Sequence, residues 1–248
     1  MVYAPHLAAQ SGASQYVAMV SATPLVAAEN IGRRRPNSHA WLLENVSVAV
    51  RAGECVVLVG PSGVGKTLLL RALAALDPHD QGDVRWHGQS VPSRQIPAFR
   101  RHVMYLSQRP ALVAGTVEDN LRLPYSLNAH RDHAYDPARV CDLLASLGRT
   151  DDFLAADRRH LSGGEAQITA LVRAIALDPE VILLDEPTAS LDRQTAQAAE
   201  SLIDQWIGRE PNRRAAIWAS HDPRQTERVA GRRIEMIAGG RIDHTGAA

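Results

Sequence analysis

Cys55-Val56-Val57-Leu58-Val59-Gly60-Pro61-Ser62-Gly63-Val64-Gly65-Lys66-Thr67 is a short apolar, β-branched run that breaks into a glycine-rich loop ending in a lysine and a hydroxyl residue. The loop fits G-x-x-x-x-G-K-[ST], and it follows a strand and opens a helix, the context such a motif needs. Gly60, Gly63 and Gly65 let backbone N–H groups turn inward around phosphate oxygens, and the helix beginning near Gly65 adds the positive end of its dipole. Lys66 then reaches the β- and γ-phosphates and Thr67 ligates Mg²⁺. The expected ligand is a nucleoside triphosphate, and the expected fold is α/β with a doubly wound core.

Working outward, Leu25 to Ile31 and Trp41 to Val50 are strand-like and predict a small antiparallel layer ahead of the loop. Leu68 to Leu76 continues as the helix after it. Asp83 to His87 and Val103 to Leu106 are further strands, the second running towards Gln108. Beyond that point helical patterns are broken by Pro110, Pro124 and Pro137. The reading is a single domain over residues 25–245, with residues 108–174 as a helical subdomain and 25–107 and 175–245 as the catalytic core. Val181 to Leu184 and Ala215 to Ala219 are buried parallel strands, each ending at polar residues where ligand sites of α/β proteins form.

Val181-Ile182-Leu183-Leu184-Asp185-Glu186-Pro187 ends its apolar run in two carboxylates, and side chains alternate along a strand, so the two can serve different tasks. Asp185 is expected at Mg²⁺ and Glu186 at the attacking water; alone, such a pair is equally well two solvated acids. His221, after Trp218-Ala219-Ser220, could contact the γ-phosphate, although a lone exposed histidine is the commoner case. Gln108 is placed to touch Mg²⁺ or the water, a weak signal by itself. Ser162-Gly163-Gly164 before the helix-like Ala166 to Leu177 offers a hydroxyl, amides and a helix N-terminus that suit a phosphate, or simply caps a helix.

The chain has 248 residues and is 45% hydrophobic, enough for one large domain with a substantial core but not for two such motors. Lys+Arg and Asp+Glu both total 27, so no global basic field points to nucleic acid, and none is expected as a partner. Cys55 and Cys141 stand far apart, which is neither a disulfide framework nor a metal cluster and suits a reducing compartment. No apolar stretch approaches the roughly 18 residues of a membrane span, so membrane association must come through a partner. Residues 1–24, rich in Ala and Ser, lack the pattern of a signal peptide. They are read as a loose leader, and either Met1 or Met19 could be the start of translation.

Together these residues, from about Leu25 to Ile242, closely resemble the nucleotide-binding subunit of ATP-binding-cassette transporters. The resemblance implies ATP with Mg²⁺, and an ABC-type ATPase fold with a RecA-like core, an antiparallel β layer and a helical subdomain. It makes Gly60 to Thr67, with Leu68, the Walker A loop, Gln108 the Q-loop residue, and Leu161-Ser162-Gly163-Gly164-Glu165 the signature. Asp185 becomes the Walker B acid, Glu186 the catalytic base, Ser190-Leu191-Asp192 the D-loop and His221 the switch. It further implies a head-to-tail homodimer with composite ATP sites. Ser162 and Gly164 of one chain would meet the ATP held by Lys66 of the other, driving a separate multi-span permease from the cytoplasmic side of the inner membrane.

The sequence departs from the family at the adenine-stacking aromatic, where Arg35-Pro36-Asn37-Ser38 stands and Trp41 is close but begins the next strand. It departs also at Leu68, at Glu165 for the common Gln, and at Ile168 for a common Arg. None of these removes the catalytic centre. The segment from Gln108 to Leu121, with apolar Ala111 to Val113 lying where the family docks its permease, and Leu123-Pro124-Tyr125 look most like the small bacterial iron-export ATPases. Import ATPases for phosphate or amino acids share the core motifs and remain the alternative. A soluble cassette acting in DNA repair or translation, or a regulator without turnover, fits less well: paired cassettes, long coiled coils and basic extensions are absent, and Glu186 and His221 are intact.

Overall fold

The apolar runs on either side of the glycine loop alternate between two faces of one sheet, and that alternation organises the molecule. The structure is a computed structural model that describes residues 23–229 and 231–243. The leader expected over residues 1–24 therefore lies outside the described residues, apart from Thr23 and Pro24, and so does Met19. In chain order the first elements are β1 (Val26–Arg34), β2 (Trp41–Val50), β3 (Cys55–Val59), α1 (Lys66–Leu73), β4 (Gln81–Trp86) and β5 (Gln89–Ser90). Then come α2 (Ile96–His102), β6 (Val103–Leu106), α3 (Val117–Arg122), α4 (Pro137–Ser146) and α5 (Gly163–Ala176). The last are β7 (Val181–Asp185), α6 (Arg193–Arg209), β8 (Ala215–Ala219), α7 (Pro223–Val229), β9 (Arg232–Ile237) and β10 (Arg241–Asp243).

One sheet is antiparallel, in the order β2-β1-β4-β5. The other runs β10-β9-β3-β8-β7-β6, with every pair parallel except β10 against β9. Val56 and Leu58 of β3, Val181 and Leu183 of β7, and Ala215 and Ile217 of β8 point into a core shared with α1 and the antiparallel sheet. Their neighbours Val57, Ile182, Leu184, Ala216 and Trp218 point the other way, into a core with α4, α5 and α6. Strands buried on both faces read as continuous apolar runs because each alternate residue has its own core to enter. The helical segment rests on that second core: Val117, Leu121, Val140 and Leu144 join Ile168 and Leu171 in the same cluster as the sheet residues, so sheet and helices are held by continuous packing.

The sequence reading passed over α2, α6, α7, β9 and β10. The expected helix over residues 68–76 is α1, which starts with Lys66 and stops at Leu73. Because β6, β7, β8 and β3 are parallel and in register, their carboxyl ends share one edge: Leu106 pairs with Leu184, Asp185 with Ala219, and Leu58 with Ala219. The chain leaves that edge at Gly60, Gln108, Glu186 and His221, which is why residues distant in sequence meet there.

Candidate active site

The loop between β3 and α1 closes around its own lysine. Lys66, only 7% exposed, donates from Nζ to the carbonyl oxygens of Gly60 at 2.6 Å and Pro61 at 3.1 Å. Burial lowers its pKa, and the Glu186 and Asp185 carboxylates push it back up. Gly65 precedes α1 at φ 111, a backbone conformation that side chains resist, and a Cβ there would lie 2.9 Å from Leu43 Cδ2. Helix α1 has no side-chain cap and no acid in its first turn, so its N-terminal N–H groups remain free for an anion. Ser62, Gly63, Gly65, Lys66, Thr67 and Leu68 line a cleft of about 500 Å³ whose opposite wall is Gln108, Asp185, Glu186 and His221. Val64 is buried beneath the loop rather than lining the cleft.

Two segments converge on one carboxylate. Gln108 Nε2 donates to Glu186 Oε2 at 2.8 Å, and His221 Nδ1 lies 2.9 Å from Glu186 Oε1. Glu186 sits at φ 47, an unusual conformation for a residue with a side chain, costing roughly 1 kcal/mol. Its backbone N–H donates to Ala219 O at 3.0 Å, which fixes the kink against β8. Asp185, 4% exposed, receives a hydrogen bond from the Tyr105 hydroxyl at 2.9 Å. Burial and the Asp185 charge raise the Tyr105 pKa, so the phenol stays a donor. Thr67, Gln108 and Asp185 supply the cleft with the oxygen donors that Mg²⁺ takes, and the residues present fit that ion. When bound, the ion would neutralise phosphate charge. Both oxygens of Glu186 are engaged, one by Gln108 and one by His221, and the carboxylate lines the cleft.

The signature lies elsewhere in the chain. Ser162 caps α5 and accepts from Glu165 N at 3.2 Å, while Glu165 Oε2 accepts from Ser162 N at 2.9 Å and from its hydroxyl at 2.8 Å, a reciprocal capping box. Gly163 and Gly164 pack on the D-loop segment: a Cβ at Gly164 would stand 2.8 Å from Ser190 O. Asp192 caps α6, accepting from Thr195 N at 3.0 Å and its hydroxyl at 2.6 Å. Within one chain, then, the structure brings Gln108, Asp185, Glu186 and His221 to the phosphate loop, and leaves Ser162, Gly163, Gly164 and Asp192 off the cleft lining.

Tyr105 escaped the sequence reading, though its place on the strand before Gln108 was a signal. So did Asn120, fully buried, which accepts from Val113 N at 2.8 Å and donates to Val113 O at 3.1 Å and Thr116 O at 2.9 Å, shaping the segment after Gln108. Within Ala111 to Val113, expected as an apolar dock, Ala111 and Val113 are exposed and Leu112 turns inward. Trp41 is the first residue of β2, and the Arg34 guanidinium lies 4.6 Å from its ring centroid.

A parallel core sheet with a lysine-bearing phosphate loop at its carboxyl edge, opposite paired acids, defines a P-loop nucleoside triphosphatase; the added antiparallel sheet and the helical segment with its Ser-Gly-Gly helix start narrow the class to ATP-binding cassettes. The family described as ABC transporter matches residues 43–189. The chain therefore belongs to the ABC transporter family, as one of its ATPases. It is 34% identical over 200 residues to the "Probable iron export ATP-binding protein FetA" of Escherichia coli (strain K12), covering 81% of this chain and 86% of that protein. It is 37% identical over 221 residues to a "Probable anion import ATP-binding protein" of Haloferax volcanii, covering 80% and 73%. The fold matches the ATP-binding cassette MJ0796, solved as a dimer in a post-hydrolysis state bound to ADP and Pi, with TM-score 0.77 and 24% identity over 88% of this chain and 97% of that one.

Proposed function

We propose that this chain is the ATP-hydrolysing subunit of a transporter whose membrane-spanning part is a separate multi-span permease, and that its cargo is iron moved outward. The observation that carries the catalytic assignment is Glu186, held between Gln108 and His221 across the cleft from Lys66. In this reading Glu186 takes the proton of the attacking water, Asp185 with Thr67 and Gln108 holds Mg²⁺, and His221 senses the γ-phosphate. Gly60 to Leu68 cradles ATP. Ser162, Gly163, Gly164 and Asp192, away from the cleft of their own chain, serve the ATP of a second copy in a head-to-tail homodimer. Closing that dimer excludes water and aims the dipole of α5 at the γ-phosphate; losing the γ-phosphate removes the bridge.

Among the described residues no helix is long and apolar enough to cross a membrane. We place its work at the cytoplasmic face of the inner membrane, peripherally, through the permease. Exposed Val113 and Leu76, with a cleft of about 240 Å³ lined by Leu76, Arg100, Tyr105 and Arg173, support a dock beside Gln108. Iron export is favoured by the relative of that name, which this chain matches over most of its length. Import of an anion is the second reading, favoured by the Haloferax volcanii relative.

The deciding experiment measures total iron, other metals and phosphorus in iron-loaded cells whose only copy is either the native chain or Glu186→Gln. Iron accumulating in the variant alone is the expected result. Unchanged iron with a deficit in another element assigns import instead.

A further inference from the structure

Behind the catalytic edge, three buried polar side chains join the two segments that carry Glu186 and His221. Gln225 on α7 is 4% exposed, Glu200 on α6 is 7% exposed and Ser220 at the end of β8 is 3% exposed. Ser220 Oγ donates to Gln225 Oε1 at 2.8 Å, and Gln225 Nε2 donates to Thr188 Oγ1 at 2.7 Å and to Glu200 Oε1 at 2.9 Å. Arg228 closes on the same carboxylate, Nε to Oε2 and Nη2 to Oε1, each at 2.8 Å. Ser220 Oγ also accepts from Asp222 N at 3.1 Å, so one hydroxyl grips the chain on both sides of His221. Thr188 stands two residues after Glu186, in the turn where Ala189 N donates to Glu186 O at 3.2 Å and Leu191 N to Thr188 O at 3.0 Å.

We propose that Gln225, oriented by Glu200, is a positioning residue that ties the turn bearing His221 to the turn bearing Glu186 and so sets the 2.9 Å contact between them. The inference rests on the reading of Glu186 as the catalytic base. One acceptor and two donors are needed at this place, and a glutamine amide supplies them with neither hydrogen left over. A buried polar group with all its partners made holds one orientation, because every alternative leaves a donor or acceptor unsatisfied at a cost of several-fold in equilibrium. The link reaches Glu186 through two residues of turn and His221 through one. A shift of a few tenths of an ångström in Gln225 therefore reaches the reacting groups, while the phosphate loop on the other wall of the cleft is untouched.

Gln225→Glu keeps size and shape but turns the amide that faces Glu200 into a second acceptor, placing two carboxylates against each other. The full-length chain should keep its KM for ATP while kcat falls roughly ten- to hundred-fold, the effect of misplacing groups around a reacting water. Glu200→Gln combined with Gln225→Glu reverses the donor pattern: the amide introduced at position 200 and the Ser220 and Thr188 hydroxyls can then donate to the new carboxylate, while Arg228 keeps an oxygen of position 200 to bond. This double variant should recover most of the lost kcat, the signature of direct coupling in a double-mutant cycle. Thr188→Val removes one link without adding charge, and a several-fold lower kcat at unchanged KM is expected even if Gln225→Glu does not fold. The proposal is overturned by a Gln225→Glu chain as active as wild type, by kcat and KM deteriorating together without rescue in the double variant, or by an inert Thr188→Val substitution that leaves kcat at the native value. Turnover that survives Glu186→Gln in the otherwise native chain overturns the base assignment underneath, a distinguishable result.

Discussion

Helices α1 and α5 both begin after a glycine- and serine-bearing turn, and both are read as phosphate binders, yet their N-termini are built in opposite ways. Helix α1 starts from Gly65 with no side-chain cap and no acid in its first turn, so its N–H groups are left for a ligand, while Lys66 is held by the carbonyls of Gly60 and Pro61. Helix α5 caps itself: Ser162 and Glu165 exchange hydrogen bonds, and a carboxylate sits in its first turn. The first end can only be completed from outside. The second is already partly capped, with the Glu165 N–H held by Ser162, and offers its dipole and the N–H groups of Gly163 and Gly164, which have no intrahelical acceptor. In the proposed head-to-tail pair the first end would serve as receptor and the second as lid.

The strongest way to break this comparison is to disable the chemistry on the α1 side while leaving both helix ends intact. Glu186→Gln should lower kcat by roughly 10²- to 10⁴-fold, the range for removing a general base. Size exclusion with ATP should then show a stable dimer, since binding survives and hydrolysis does not. Monomer throughout, with turnover unchanged, would sink the composite-site reading.

Lys66→Ala asks whether α1 binds without its cation. Loss of a charged hydrogen-bond donor to phosphate is worth about 2–3 kcal/mol, so ATP affinity should drop by roughly 30- to 150-fold in a nucleotide titration. Equal affinity in the two proteins would contradict the assignment of the loop. The converse test is Gly164→Ala on α5, where the new methyl meets Ser190 O at 2.8 Å and must push the D-loop back. Overpacking of this kind costs about 1–3 kcal/mol. Binding of ATP to the single chain should be unaffected, with the loss confined to turnover and dimer formation. A Gly164→Ala chain with weakened monomer binding would show that the two ends are not separate.

The α1 side was largely legible in the sequence, because strand, loop and helix follow one another within Cys55 to Leu73 and each local signal agrees with the next. Glu186, Gln108 and His221 were legible for a different reason: parallel strands deliver their carboxyl ends to one edge, so a polar residue just after a buried apolar run has few other places to be. The positive φ of Glu186 and the hydrogen bond from Tyr105 to Asp185 were not legible, since both are decided by packing between elements 80 residues apart in the case of Tyr105. Helix α6 went unread although Asp192 is its cap. The residue was assigned to a ligand by resemblance, and its hydrogen bonds with Thr195 show a local task that the motif does not announce. Strands β9 and β10 escaped because they are short, only partly buried and rich in charged residues, although β9 alternates, with Ile234 and Met236 on one face and Arg233 and Glu235 on the other.

The finest probe of the comparison is Glu165. Hydrogen bonds from the Ser162 N–H and hydroxyl lower the Glu165 pKa below the ordinary carboxylate value. A depressed carboxylate contributes stability above its unfolded pKa of 4.5, and that contribution disappears as the pH falls through the lower folded value. Glu165→Gln keeps an oxygen for the capping box but has no proton to gain, so its melting temperature should fall less than that of wild type below about pH 4.5. In the proposed homodimer the charge has a second consequence, because α5 would approach the phosphates held by the other chain. A carboxylate in the first turn opposes the γ-phosphate that the dipole attracts, by about 1 kcal/mol per unit charge even at a separation of roughly 16 Å for an effective dielectric of about 20. The same substitution should therefore tighten the ATP-bound dimer of a Glu186→Gln background by several-fold in sedimentation, while Glu165→Ala, which loses the box as well as the charge, gains less. If Glu165→Gln leaves the dimer unchanged, the α5 end does not approach phosphate closely enough to feel a full charge. The contrast between the two helix ends would then concern folding alone.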